Sequence, residues 1–203
     1  MMHRTGEARE GVAAMALRHA VLAALLDGDY SGYQLAKVFD VSVGNFWHAL
    51  PQQLYAELAK LEKEGLVAGR QVVQETRPNK RVFQVTDAGR AALEAFAVAA
   101  AKPSVIRDDL LVKVQSADRI GTGPVIEQLE ERAAAAETKI EFLEGLLREM
   151  RGDLDEEEFL LRGERIGGYL TCLRGVTFER GHRDWCLETA ATLRKRRTTD
   201  ARH

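Results

Sequence analysis

The sequence predicts a mainly α-helical protein with one small β-hairpin, divided into two parts. Apolar residues recur at helical spacing along most of the 203 residues. Two Val-rich runs, Val67 to Thr76 and Arg81 to Val85, flank the turn signal Arg77-Pro78-Asn79-Lys80. Pro103 interrupts two helical patterns and marks the boundary between the halves.

The first helix is expected from Ala16 to Leu26, on Leu17, Val21, Leu22, Leu25 and Leu26, stopping at Asp27-Gly28. Ser31 opens a second, with Gln34 as its capping-box partner and Tyr33, Leu35, Ala36, Val38 and Phe39 as its buried side. A third turns Leu50, Leu54, Leu58 and Leu61 inward, starts at Pro51 and ends at Gly65. The hairpin follows, and a fourth helix opens at Thr86-Asp87 and runs through Leu93 and Phe96. Three short helices and then a hairpin is the order of a winged helix-turn-helix, expected here over residues 15–102. Residues 1–14 are expected to be a flexible tail.

The second half reads as almost wholly helical. Val125, Leu129, Ala133, Ala136, Ile140, Leu143, Leu147 and Met150 alternate steps of three and four, close to a heptad, between Gly123-Pro124 and Gly152-Asp153. A final helix is expected from Asp155 or Glu156 to Arg196, on Phe159, Ile166, Leu170, Leu173 and Leu187, bent or broken near Gly163, Gly167-Gly168, Gly175 and Gly181. Each helical glycine costs about 1 kcal/mol relative to alanine, so their number implies close helix–helix approach. The apolar stripe is longer than one small hairpin covers, and a second copy would cover it. Residues 103–197 therefore read as a helical dimerisation domain, with Leu129, Ile140, Leu143, Leu147, Leu170 and Leu173 at the interface and residues 198–203 as a flexible tail.

Composition narrows the function. With 45% hydrophobic and 30% charged residues, the chain buries a core. No apolar run reaches the length of a membrane span, and residues 1–15 lack a secretory core. Cys172 and Cys186 stand about 21 Å apart along one helix, too far to pair within a subunit, which suits a reducing cytoplasm. His3, His19, His48, His182 and His203 show no metal-ligand spacing. His182 and Cys186 read as a surface histidine beside a packed thiol. No nucleophile elbow, phosphate loop or dinucleotide fingerprint occurs, so neither an enzyme nor a cofactor is expected. Asp155-Glu156-Glu157-Glu158 reads as a helix start.

The third helix offers Gln52, Gln53, Ala56, Lys60 and Lys63 outward, with Tyr55 flanking. Glutamine pairs with adenine in the major groove, and recognition helices read bases through their first turn. The plain alternative is a solvated polar face. Arg77, Lys80 and Arg81 bracket Asn79 at the hairpin tip, where cations can lie along phosphates or simply be solvated. Trp47 and Phe46 are either a staple on the third helix or part of a ligand surface. Tyr169, Phe178 and Trp185 either pack between helices or line, with Trp47, a pocket for an effector.

The blocks GYQLA, QLYAELAKLEKEGLV and RVFQVTDAGR, with YLTCLRGVTFERGHRDWCLETAATL beyond them, resemble PadR-like winged-helix transcriptional regulators. The likeness spans residues 16–195 and extends to the longer branch with a virulence-activator-like helical C-terminal domain. It implies a homodimer on double-stranded operator DNA with inverted half-sites, acting mostly as a repressor, released in some members by a small molecule. By position, Tyr55 matches a tyrosine that touches the DNA backbone and Pro78-Asn79-Lys80-Arg81 matches the wing. Pro51-Gln52-Gln53 departs from the Ser/Gly-rich start of many relatives. Two rivals remain: a winged-helix module that binds protein, and an effector-binding protein whose helical half is the main site.

The formal net charge of −2 hides an asymmetry. Thirteen anions face six cations between Val125 and Arg165, net −7, whereas five cations face two anions between Leu66 and Arg90, net +3.

Overall fold

The computed structural model describes residues 17–42, 46–47, 49–73, 79–101, 103–104 and 106–200. The expected tail over residues 1–14, the end of the first expected strand, and Arg77-Pro78 at the hairpin tip lie outside these. The chain divides into two compact units, Met1–Lys102 and Pro103–His203.

In the first unit the described part of α1 covers residues 17–25. It is followed by β1 (Tyr30–Ser31), α2 (Gly32–Ser42), α3 (Pro51–Lys63), β2 (Val67–Val72), β3 (Lys80–Val85) and α4 (Asp87–Val98). The sheet is antiparallel in the order β1-β3-β2, with Tyr30 and Gly69 both opposite Phe83. β1 was not anticipated, since two residues carry no periodicity. The α2 capping box forms as the sequence predicts: the Ser31 N–H donates to Gln34 Oε1 at 3.1 Å and the Gln34 N–H to Ser31 Oγ at 3.3 Å.

Val21, Leu22, Leu25, Leu35, Phe39, Leu54, Leu58, Leu61 and Val67 make the core of this unit. Leu26, Tyr33, Val38 and Leu50, all expected members, lie outside it. Tyr33 is 62% exposed because it sits two residues from Leu35, about 200° around the helix. Leu50 is 52% exposed because it is the extended residue before α3 and does not share the helical register of Leu54 and Leu58.

The turn after α3 is tied to the start of α4. Gly65 adopts φ +74°, which favours glycine. The Thr86 hydroxyl donates to the Gly65 carbonyl at 2.7 Å, the Thr86 N–H to the Leu66 carbonyl at 3.1 Å, and the Gly89 N–H to Thr86 Oγ1 at 3.2 Å. A Cβ on Gly89 would stand 2.2 Å from the Leu66 carbonyl oxygen, so this crossing admits no side chain.

The second unit holds α5 (Asp109–Ile120), α6 (Gly123–Arg151), α7 (Glu156–Arg162) and α8 (Ile166–Asp200). Sequence reading missed α5, although Asp108 as its cap and Leu110, Val114 and Ala117 at helical spacing announce it. α8 extends to Asp200, past the expected end of the helix. The expected last helix breaks near Gly163, one of the sites anticipated, which gives two helices parted after Arg162. The extended Gly163 ends α7, its N–H donating to the Phe159 carbonyl at 2.7 Å. α8 then runs through its glycines without interruption. Gly168 approaches a neighbour closely, with a Cβ there 3.2 Å from Met150 Cε, while Gly167 and Gly181 face open space.

α6 and α8 pack antiparallel. Leu129 and Ala133 share a core with Cys186 and Ala190, and Ile140, Leu143 and Leu147 share another with Tyr169, Cys172 and Val176. This corrects the reading of the α6 stripe. Leu129, Ile140, Leu143 and Leu147 are buried by α8 of their own chain, so no second copy is required to cover them. Leu170 stays exposed and Leu173 half-buried. Ion pairs line the same seam: Glu137 with Arg183 at 2.6 Å, Glu144 with Arg180 at 2.5 Å, Lys139 with Glu179 at 2.7 Å, and Glu130 with Arg194.

Gly89→Ala drives a methyl into the Leu66 carbonyl and should destabilise the chain by about 2 kcal/mol, read as a lower urea midpoint. Burial raises the thiol pKa of both Cys172 and Cys186, which lowers the thiolate fraction at neutral pH. In native protein near pH 8 both should react with a thiol reagent far more slowly than after denaturation.

Candidate nucleic-acid interface

α3 carries the exposed stripe the sequence places there. Gln52, Ala56, Ala59, Lys60 and Lys63 are exposed on one side, with Gln53 and Tyr55 beside them, while Leu54, Leu58 and Leu61 are buried. The two alanines leave the middle of the helix slim, and the lysines cluster in its last turn, which also suits the helix dipole. Lys60 lies 3.5 Å from Glu57, the buried acid of the same helix.

The two glutamines differ. Gln52 projects outward. Gln53 Oε1 accepts the Leu50 N–H at 2.9 Å, so this residue holds the start of α3 together. Its expected role as a base reader is thereby reduced to its amide NH2 donor. Tyr55 lies against Gly32, where a Cβ would approach Tyr55 Cε1 to 2.4 Å, and glycine at the start of α2 lets the ring seat there.

On the hairpin, Asn79, Lys80 and Arg81 line a depression of about 430 Å³ with Gly69 and Gln71. Arg77 lies outside the described residues. Arg81 is not simply presented to solvent: its Nη2 donates to Glu62 Oε1 on α3 at 2.6 Å.

Sequence reasoning missed a contribution from α2. Lys37 Nζ sits 4.8 Å from the centre of the exposed Tyr33 ring. Their i, i+4 spacing was the available signal. Both border a hollow of about 490 Å³ between α2 and α3, together with Trp47, Leu50, Leu54 and Tyr55. Trp47 also packs against the core of this unit, while Phe46 is exposed.

The other aromatics assigned to an effector pocket belong to the second unit and differ among themselves. Tyr169 is fully buried, 4.8 Å from the Phe159 ring, and donates to Glu156 Oε2 at 3.0 Å. Burial first, then the Glu156 carboxylate, raises its pKa. It is a core side chain with no surface to offer a ligand, which corrects its expected role. Phe178 is 51% exposed between Arg174 and His182, and Trp185 is half-buried at the other side of His182.

A probable transcriptional regulator of Mycobacterium tuberculosis is 31% identical over 193 residues, covering 90% of this chain and all of that protein. Residues 21–95 match the transcriptional regulator PadR-like family. The chain belongs to the PadR-like family. Residues 106–194 match the family described as virulence activator alpha C-term. The negative transcriptional regulator PadR of Bacillus subtilis is 24% identical, over 88% of this chain and 98% of its own. Its crystal structure in complex with operator DNA superposes with a TM-score of 0.73 at 23% identity, over 88% of this chain and 99% of that one. The Vibrio cholerae virulence activator AphA superposes with a TM-score of 0.65 at 27% identity, over 88% and 98% of the two chains. PadR-like proteins are DNA-binding transcriptional regulators and not enzymes. Among the described residues no helix is long and apolar enough to cross a membrane, and no group of three metal-ligating side chains occurs.

Gln53→Ala removes the bond to the Leu50 N–H. In the absence of DNA it should lower stability by about 1 kcal/mol, seen as a shifted thermal melt. Gln52→Ala, with no such bond, should leave the melt unchanged.

Proposed function

We propose that this PadR-like regulator is a cytoplasmic homodimeric repressor that binds an operator of two inverted half-sites. The observation that carries this reading is the outward stripe of α3. It sets Gln52 in the first turn, small alanines in the middle and lysines at the end, beside a basic hairpin. Inserted in a major groove, such a helix reads base edges through Gln52 while Tyr55, Lys60 and Lys63 meet phosphates. Lys80, Asn79 and Arg77 of the hairpin follow the flanking backbone. Two copies related by a twofold axis put their α3 helices one helical turn of DNA apart.

In this reading residues 15–102 form the DNA-binding domain and residues 103–197 the dimerisation domain. The surface left for a partner copy is the outer apolar one, including Phe142, Leu170, Phe178 and Leu187, all exposed in the single chain. Repression and release by a small molecule are supported by the Bacillus subtilis relative, which is a negative regulator and has been solved with p-coumaric acid. For this chain the effector itself is unassigned. Of the four aromatic side chains expected at such a pocket, Trp47, Phe178 and Trp185 have surface to meet one.

Selection from a randomised duplex library by the purified full-length protein should yield a two-part site bound as a saturable complex. Failure to enrich any sequence would remove this proposal. The joint change of Arg77, Lys80 and Arg81 to alanine should weaken binding to all duplexes and flatten its salt dependence, whereas Gln52→Ala should alter the selected sequence. Sedimentation of the intact chain should give a dimer, and Phe178→Glu with Leu170→Glu should shift it towards monomer.

A further inference from the structure

We infer that Glu62 is a positioning residue that sets the pose of the hairpin relative to α3 and thereby controls how well the protein distinguishes its operator from other DNA. The inference rests on the reading of α3 and the hairpin as the DNA-binding surface.

Glu62 stands near the end of α3, one residue after the buried Leu61 and one before the exposed Lys63. A single oxygen of its carboxylate collects two donors from two different strands. The Gly69 N–H of β2 donates to Glu62 Oε1 at 3.0 Å, and Arg81 Nη2 of β3 donates to the same atom at 2.6 Å. The Arg81 guanidinium also lies over the Phe83 ring, 5.7 Å from its centre. Because Gly69 pairs with Phe83, these groups share one patch of the sheet.

Gly69 is what makes the junction possible. A Cβ there would stand 2.4 Å from Glu62 Oε1, 2.6 Å from Arg81 Nε and 3.1 Å from Phe83 Cε1. The missing side chain opens a notch in the sheet, and the carboxylate and guanidinium fill it. Besides the short turn through Gly65, this junction is a second, side-chain link between the helix that enters the groove and the strands that carry the hairpin tip.

The chemistry gives Glu62 opposite effects on two kinds of binding. As an anion beside Arg81, it holds back a cation that phosphates would otherwise attract. As an acceptor for both strands, it fixes the distance between α3 and the tip, so base and phosphate contacts can form together. Without it, Arg81 is freed to reach any phosphate, and the hairpin loses its fixed pose. Non-specific affinity then rises while operator affinity falls. A residue that only stabilised the fold would weaken both.

The test compares the full-length wild type with Glu62→Ala, Glu62→Asp and Glu62→Gln. Each is titrated against the duplex selected by the wild type and against a scrambled duplex of equal length, over a range of salt. Glutamine loses the charge but keeps an oxygen within reach of both donors. Aspartate keeps the charge but is one methylene too short. The expected result is a fall of about tenfold in the operator-to-scrambled affinity ratio for the alanine and aspartate variants and a smaller fall for glutamine, which keeps the acceptor but not the charge. For alanine, the salt slope on scrambled DNA should steepen by about one ion as Arg81 joins the phosphate contacts. If aspartate matches wild type and glutamine matches alanine, the residue acts only through its charge and the inference is overturned. An unchanged ratio in all three overturns it as well. Because the wild type selects the duplex first, failure at that stage counts against the proposed function, whereas failure among the variants counts against Glu62 alone. Thermal melts identify a variant that has lost its fold. The aspartate and glutamine pair still decides the matter if alanine unfolds.

Discussion

The first unit is organised by a demand on α3, which must be apolar on one side and presentable on the other over only 13 residues. Leu54, Leu58 and Leu61 satisfy the first requirement by burial against α1, α2 and Val67. At about 25 cal/mol per Å² of apolar surface, three fully buried leucines contribute several kcal/mol, a large share of what a domain this small can gather. That anchoring holds the opposite stripe still. A side chain that reads bases gains from a helix that does not rock, and here the rigidity is supplied by residues on the far side of the same helix.

The hairpin and α4 extend this constraint. Strand β3 is central in the sheet, so its register fixes both neighbours at once. The Gly65-Leu66 turn carries the chain from α3 into β2 and also receives Thr86 and Gly89 from the start of α4. The block Thr86-Asp87-Ala88-Gly89 is therefore explained by geometry. Threonine supplies the cap and the bond to the turn, and glycine supplies the clearance at the crossing. In the second unit the equivalent constraint is the α6–α8 seam, where an apolar strip is flanked by pairs such as Glu137 with Arg183 and Glu144 with Arg180. Exposed pairs of this kind add little stability each. Their value lies in register, since a slip of one turn would oppose wrong partners along the whole seam.

Much of this was legible in the sequence, and the exceptions have physical causes. Caps and glycine stops placed α2, α3, α6 and the start of α4, because those signals are local and were read together with apolar spacing. β1 escaped because a strand of two residues exists only through its partner Phe83, a contact between positions far apart in sequence. Tyr33 reads as buried by its apolar character, although its angular position on α2 opposes that of Leu35. The α6 stripe was read correctly as buried but assigned the wrong cover, since periodicity tells which side is buried and not what buries it. Within the candidate site, the outward placement of Gln52, Tyr55 and the lysines of α3 is legible from spacing. The link through Glu62 is not, because periodicity does not report its two strand donors, Gly69 and Arg81.

Charge shows the same limit of one-dimensional reading. The −7 counted from Val125 to Arg165 does not describe a surface, because α8 returns Arg180, Arg183 and Arg194 to meet those anions. Residues 103–203 carry 17 cations against 20 anions, and residues 1–102 carry 12 against 11. The first unit is thus nearly neutral, and several of its cations are already engaged: Arg18 with Glu64, Arg70 with Asp29 and Arg81 with Glu62. With only one cation in excess, the first unit offers DNA little net attraction, and its basic groups act locally. Doubling the contacts through a twofold axis does more than add affinity in such a protein. In the proposed dimer it would let a weakly basic domain ignore most DNA as a monomer and hold one spacing of half-sites, so that discrimination comes from geometry where net charge offers little.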